Sequence, residues 1–352
     1  MEISKANGEM SEETRKIQLT GRSTYIVSLP KRWVTDMNLK AGSQLAILKL
    51  NDSSLVLTPK ELVKPIKLGE ATIIVSENED PNTLMRKVVA LYLVGYNLIR
   101  IKTREQRITS ANRNFIKDMT RRKLVGTEII TDALNEMTLQ VLISYPELSV
   151  DSALRRMCLI ASSMHEDAIQ ALRHLNQELA KEVIALDDEV DRFSFYVIRQ
   201  LKAAVQNEGA LKEIGLTNPR DCLGYRVIAK SVERIADHAV KIAENVTSMR
   251  HQIDSTVYRE VSAMSSFARS VLDDSIKSLY GKDYKLADSV VTKSKRVASM
   301  ENEAMKVISK GIKAEDSSNM RMILESIRRT TEYASDIAEI VLNLNISQMI
   351  TT

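Results

Sequence analysis

From Val150 onward, apolar residues recur at alternating spacings of three and four, the stripe of a helix with one buried face. The first run reads Val150, Leu154, Met157, Ala161, Met164, Ala168, Ala171 and Leu175, and the second Leu179, Val183, Leu186, Val190, Phe193, Val197 and Leu201. A loop with Gly209, Gly215 and Asn218-Pro219 follows, where Asn218 can cap the next helix and Pro219 can occupy its first position. The third run is Ile228, Val232, Ile235, Ala239, Ile242, Val246 and Met249. Three more helices are predicted over 258–279, 286–312 and 320–346, with Gly281 breaking the first from the second. The economical arrangement is two sets of three long antiparallel helices.

The two sets repeat as sequence. Aligning Ile242-Ala-Glu244 with Ile337-Ala-Glu339 places Ala239 on Ala334 and Ser231 on Ser326. The same alignment sets Arg328 on Glu233 and Glu332 on Asp237, so the second copy keeps packing residues but exchanges one carboxylate for a cation.

Ahead of residue 148 the period changes. Residues 1–13 are polar and acidic, a loose tail. Residues 14–60 read as short strands. A β-rich run over 23–29 meets Pro30, a short helix is predicted over 31–37 and a turn over 40–43, and strands over 44–50 and 54–58 flank the turn at Asn51-Asp-Ser-Ser54. About 45 residues of thin β-structure cannot bury a stable core alone, which predicts pairing with a second copy. Residues 61–147 alternate differently: a strand over 71–75, and a helix opened by Asp80-Pro81 and closed by Gly95. A strand over 97–102 and a helix from Thr109 or Ser110 to Lys123 come next, then strands over 127–130 and 138–143. The order β-α-β-α-β-β is that of a small α/β sandwich. The expected fold is multidomain α+β: a β-domain at 14–60, an α/β domain at 61–147, and helical repeats at 148–250 and 251–352.

Composition adds limits. Of 352 residues 44% are hydrophobic and 27% charged, as in soluble globular proteins, and aromatics are only 4%, which suits aliphatic helix bundles. Cys158 and Cys222 lie inside helical patterns without a Cys-x-x-Cys, so they read as buried thiols of a reducing compartment. No apolar leader is evident, and the longest clearly apolar run, 88–94, is too short to span a bilayer. A cytoplasmic protein without membrane insertion is expected. The net charge of +4 says little until it is placed along the chain.

Glu233 and Asp237, four apart, project from one side of the third helix and flank its apolar stripe; Asp187 and Asp191 have the same spacing on the second. These four carboxylates suit either a hard cation or bridges to Lys230, Arg234 and Lys241. His238 adjoins Asp237, but the four histidines form no Glu-x-x-His of a ferritin-like di-iron site. No Gly-x-Ser-x-Gly turn, Gly-x-Gly-x-x-Gly or P-loop motif is present, so no enzyme is expected. Basic residues gather at Arg15, Lys16, Arg22, Lys31 and Arg32, and more densely at Arg100, Lys102, Arg104, Arg107, Arg113, Lys117, Arg121, Arg122 and Lys123. Either set can face phosphates or simply solvent, and the denser one also suits an acidic partner protein.

Two resemblances sharpen this. Thr20-Gly-Arg-Ser-Thr-Tyr-Ile-Val-Ser-Leu-Pro-Lys-Arg-Trp33, then Leu39-Lys-Ala-Gly-Ser43 and Ser54-Leu-Val-Leu-Thr-Pro59, resembles the AbrB/SpoVT/MazE swapped-hairpin family. That resemblance implies an intertwined homodimer that binds double-stranded DNA. Val34 and Thr35 stand where the best-known member has paired arginines, and the basic residues lie instead at Arg15, Lys16, Arg22, Lys31 and Arg32, which the resemblance offers as the DNA-facing set. The two helical repeats, with Ser231-Val-Glu-Arg-Ile-Ala-Asp-His-Ala239, resemble the PhoU family of phosphate-uptake regulators. Some members hold iron, zinc or other divalent cations on acid-x-x-x-acid motifs, which here implies Asp187, Asp191, Glu233 and Asp237 as the ligands. The joint expectation is a DNA-binding regulator of phosphate homeostasis, sensing through a cation or a protein partner. The alternative is an adaptor on a phosphate-transporter ATPase or sensor kinase, with the β-domain serving only to dimerise.

Overall fold

Gly21, at φ +65°, turns the chain back between strands β1 (Gln18–Thr20) and β2 (Thr24–Ile26), which pair antiparallel with Leu19 opposite Tyr25. The structure, a computed structural model, describes residues 13–49, 54–60, 69–76, 79–105, 107–142, 148–206 and 208–350. Nearly all of the expected N-terminal tail, the turn at Asn51-Asp-Ser-Ser54 apart from Ser54, and the last residue of the strand expected over 138–143 lie outside them. The described residues fall into two units divided between Lys67 and Leu68.

In the first unit the run expected as one strand over 23–29 is the return half of a hairpin and leaves the ladder after Ile26, ahead of Pro30, which has no N–H to donate. Helix α1 (Lys31–Asp36) follows Pro30, and β3 (Leu45–Lys49) pairs antiparallel with β4 (Leu55–Pro59) in the register Ile47 opposite Leu57. Of the residues of this unit whose burial is described, only Pro59 is buried. Ile17, Tyr25, Ile47 and Leu55 are 71%, 72%, 65% and 62% exposed. Among the described residues, the two small hairpins and one helix therefore bury no core of their own.

The second unit opens with a four-stranded sheet in the order β5 (Glu70–Val75), β6 (Leu98–Thr103), β8 (Glu136–Val141), β7 (Thr127–Asp132), of which only β5–β6 is parallel. Helices α2 (Pro81–Val94) and α3 (Ser110–Lys123) connect the strands in the expected β-α-β-α-β-β order. Asp80 caps α2 by accepting from the Thr83 N–H at 3.0 Å, and Gly95 ends it in the left-handed conformation at φ +110°. Ile73, Val75, Ile99, Ile101, Met137 and Leu139 form the buried face of the sheet, packed with Leu84, Val88 and Ile116 of the helices.

The helical part comprises α4 (Val150–His174), α5 (Gln177–Gln206), the short α6 (Glu208–Glu213), α7 (Asp221–Ser248), α8 (Ser255–Gly281), α9 (Tyr284–Ser294), α10 (Val297–Gly311) and α11 (Ser317–Asn345). Its core is one continuous cluster across both repeats. All seven residues of the α7 stripe are buried, from Ile228 to Met249. Ser231 and Ser326, Ala239 and Ala334, and Ile242 and Ile337 are buried pairwise, as the alignment of the repeats requires. At Gly224 a Cβ would lie 2.9 Å from Ile340 Cγ2, so this glycine sets how closely α7 approaches α11.

Two expected elements differ. Glu208–Glu213 is helical where a loop was expected, and Asn218 serves a turn before α7, accepting from the Arg220 N–H at 3.0 Å. The single helix expected over 286–312 is broken at Lys295-Arg296. There the Ser294 hydroxyl donates to the Val291 carbonyl, and the Arg296 N–H bonds to Lys293 in a tighter i to i+3 turn.

Candidate functional site

Helix α5 carries Asp187 and Asp191 and α7 carries Glu233 and Asp237, and the two helices pack together, so the four predicted carboxylates share one neighbourhood. Their charges are coupled. Burial pushes the Asp187 carboxyl up to about 7, with Asp191 and Asp237 adding to the rise. Burial also raises Glu233, against a bond from Lys230, and raises Asp237. Asp187 Oδ1 is buried without a hydrogen-bond partner.

The cations that answer this cluster are the protein's own. Lys230 pairs with Glu233 one turn along α7, one of the bridges expected from sequence. The other was not expected: Lys123, the last residue of α3, places its ammonium 2.9 Å from Asp191 and 3.1 Å from Asp188. Burial alone would lower its pKa, but the bonds and charges of Asp191 and Asp188 outweigh that and raise it. Arg122 adds a contact to Asp188 at 3.6 Å. Asp188 and Lys123 thus belong to the site although the spacing argument passed over both. Among the described residues no group of three or more His, Cys, Asp or Glu is gathered at metal-ligand spacing. The oxygen donors are right for a hard cation, but one entering here has to compete with Lys123 and Lys230.

The second repeat completes the comparison. Arg328 stands at the position of Glu233, and its guanidinium reaches Glu301 on α10 at 2.9 Å and Glu332 on its own helix at 2.5 Å. A built-in cation therefore bridges the two carboxylates of that repeat. His238 does not join the first cluster: its ring turns to Tyr333 of α11, with centroids 5.7 Å apart, and burial lowers its pKa to about 4. Cys158 and Cys222 are free and buried, and burial raises Cys158 to about 12.

The five N-terminal cations, Arg15, Lys16, Arg22, Lys31 and Arg32, are all exposed. Arg15 pairs with Glu13, and Arg32 lies 3.9 Å from Asp36 with a side chain 94% exposed. The denser basic stretch is largely committed inside the protein. Arg100 and Lys102 meet Glu136 on the outer face of the sheet, Arg113 and Lys117 meet Asp132, and Arg122 and Lys123 meet the α5 carboxylates. No helix of the described residues is long and apolar enough to cross a membrane.

These features define a tandem helical-repeat protein carrying coupled carboxylates in its first repeat, with an α/β domain before the bundle and a β-hairpin domain at its N-terminal end. The PhoU domain matches residues 154–246 and 261–341, and the bacterial antitoxin domain "Antidote-toxin recognition MazE" matches residues 18–65. The chain belongs to the PhoU family, with an N-terminal MazE-like domain fused to it. It is 28% identical over 142 residues to a phosphate-specific transport system accessory protein PhoU homolog of Aquifex aeolicus, covering 40% of this chain and 62% of that protein. To a homolog of the same description from Zymomonas mobilis it is 22% identical over 179 residues, 49% of this chain and 73% of that one. The chain thus spans about three fifths of the Aquifex protein's length. Among solved structures it resembles the phosphate transport system regulatory protein PhoU of Streptococcus pneumoniae (TM-score 0.49, 16% identity, 58% of this chain and 96% of that one). It also resembles PhoU of Pseudomonas aeruginosa (TM-score 0.48, 22% identity, 56% and 96%).

Proposed function

We propose that this protein is a cytoplasmic, non-enzymatic regulator of phosphate transport that binds double-stranded DNA as a homodimer. The observation that carries the reading is the exposure of the large apolar side chains among the described residues of the first unit. Its hairpins and the residue leading into them expose Ile17, Tyr25, Ile47 and Leu55, and a second copy interleaved with the first would cover them. Pairing doubles Arg15, Lys16, Arg22, Lys31 and Arg32, and an array of exposed cations suits a phosphate backbone. The link to phosphate supply rests on the family and on relatives described as accessory to phosphate-specific transport. Sensing is assigned to the carboxylates of Asp187, Asp191, Glu233 and Asp237, where an external divalent cation or a basic partner would compete with Lys123 and Lys230.

The test is duplex binding by fluorescence anisotropy across a salt series. The wild type should bind with a steep salt dependence, and Arg22→Ala/Arg32→Ala should bind more weakly with a shallower slope. Equal binding by both would reject these residues as the contacts. The description of both relatives as accessory proteins favours a second reading, an adaptor on a transporter ATPase or sensor kinase. An intact dimer with no duplex affinity at low salt would select it.

A further inference from the structure

Helix α4 of the first repeat and α8 of the second run antiparallel across a cavity of about 400 Å³ that the acid cluster does not share. Arg173 and Arg269 line it from the two repeats, 96 positions apart in sequence. Ser262, Ser265 and Ser266 line it as well. With Arg269 they follow spacings of three, four and seven along α8, which put three hydroxyls and a guanidinium on one helix face. We propose that this cavity binds the phosphate groups of a phosphorylated small molecule. The site goes beyond the DNA-binding reading and does not depend on it.

The donors are of the kind that recognise phosphate. A guanidinium offers a planar fork of N–H groups, and serine hydroxyls turn to suit an oxyanion. Arg173 is exposed and lies over the Tyr258 ring, 5.4 Å from its centroid, and among the described residues no carboxylate pairs with it. Arg269 is held by Glu166 at 3.0 Å, which fixes its guanidinium at the other end of the cavity. Glu166 is the one carboxylate in the lining, so the two arginines leave the site a net cation.

The cavity wall is polar to some depth. Ser265 is 4% exposed and its Oγ lies 2.9 Å from Nε2 of His165, which is fully buried. Burial, then the charge of Arg269, lowers His165 to about 4, so the ring is neutral at physiological pH. The volume exceeds what a free phosphate ion needs and lies within the range of organic-ligand sites. Glu166 and Arg173 are two turns apart on α4, roughly 10 Å along the axis. Arg269, opposite Glu166, and Arg173 therefore suit a ligand with an extended phosphate chain, with Tyr258 and Ile169 beside its organic part.

Calorimetric titration of the full chain with inorganic phosphate, tripolyphosphate, ATP and adenosine tests this. ATP or tripolyphosphate should bind and adenosine should not. Arg173→Glu and Arg269→Gln should each weaken binding at least tenfold. Arg173→Glu gives up the contact over the Tyr258 ring and places an acid in the last turn of α4, so its melting temperature should fall by a few degrees while the helical circular dichroism of the free protein is kept. Saturation by inorganic phosphate that then blocks ATP would identify the free ion as the ligand of the same site. The proposal is overturned if no phosphorylated probe binds at millimolar concentration. It is also overturned if binding survives both substitutions, including the case where only Arg22→Ala/Arg32→Ala reduces it, which assigns the phosphates to the N-terminal cations.

Discussion

The ammonium of Lys123, at the end of α3, lies 2.9 Å from a carboxylate oxygen of Asp191 on α5. One contact thus joins the α/β domain to the acidic face of the first helical repeat, and it places a built-in cation where the sequence alone left room for an external one. Removing it should have two effects. Lys123→Met leaves Asp188 and Asp191 without their shared partner, and we expect a loss of about 1–2 kcal/mol in urea unfolding. The same variant should bind Mn2+ several-fold more tightly than the wild type in a spin-resonance titration. Asp191→Ala/Asp237→Ala should bind least. Equal, negligible binding by all three would remove the cation from the account.

Asp187 supplies a pH dependence of known sign. Its folded pKa is raised to about 7 from an ordinary carboxylate value near 4, so between those limits the folded state holds more of this proton than the unfolded one. Its contribution to stability is present below about pH 4 and is lost as pH rises through about 7. Asp187→Asn, measured with a chelator present, should therefore melt higher than the wild type at pH 8, and the two should converge toward pH 4. A variant that melts lower at pH 8 would contradict the burial of an uncompensated charge.

Arg199 on α5 is the second tether. Its guanidinium donates to the carbonyls of Gly95 at 3.2 Å and Tyr96 at 3.0 Å, to the Tyr92 carbonyl and to the Asn97 side chain, and it lies 4.8 Å from the Tyr92 ring centroid. It therefore caps the C-terminus of α2, where carbonyls lack helical partners. Arg199→Met should cost about 3 kcal/mol, because buried acceptors lose their donor. Hydrogen exchange should quicken first over α2 and β6. Unchanged protection there would mean that the α/β domain stands without this residue.

In the second repeat, Arg328→Ala should leave Glu301 without its cation while Glu332 keeps Arg329, at a cost of about 1 kcal/mol at neutral pH. The loss should shrink as pH falls and the carboxylates protonate. A loss independent of pH would mean that Arg328 acts through packing alone.

Much of this architecture was legible because it is local. The apolar stripe from Ile228 to Met249, the Asp80 cap with Pro81, the Gly95 stop and the β-α-β-α-β-β order depend on residues within a turn or two of one another, and the structure has them where the pattern put them. The exchange of Glu233 for Arg328 was also visible in the aligned repeats. What connects the parts was not. Lys123 and Asp191 are 68 positions apart and Arg199 and Gly95 are 104 apart, and no periodicity links such residues. Nine basic residues over 100–123 read as one surface, yet Arg100, Lys102, Arg113, Lys117, Arg122 and Lys123 answer carboxylates from other elements. The break at Lys295-Arg296 escaped because the apolar spacing continues across it and no proline or glycine marks it.

The first unit remains the feature on which the regulatory reading turns, since a hairpin domain with one buried residue among those described needs another surface to cover it. Sedimentation equilibrium of the full chain beside a chain lacking residues 1–67 tests this most directly. The full chain should weigh twice its 39.6 kDa, and the truncated chain should be a folded monomer. A full chain that sediments at 39.6 kDa with protected amides in β1 to β4 would contradict the account.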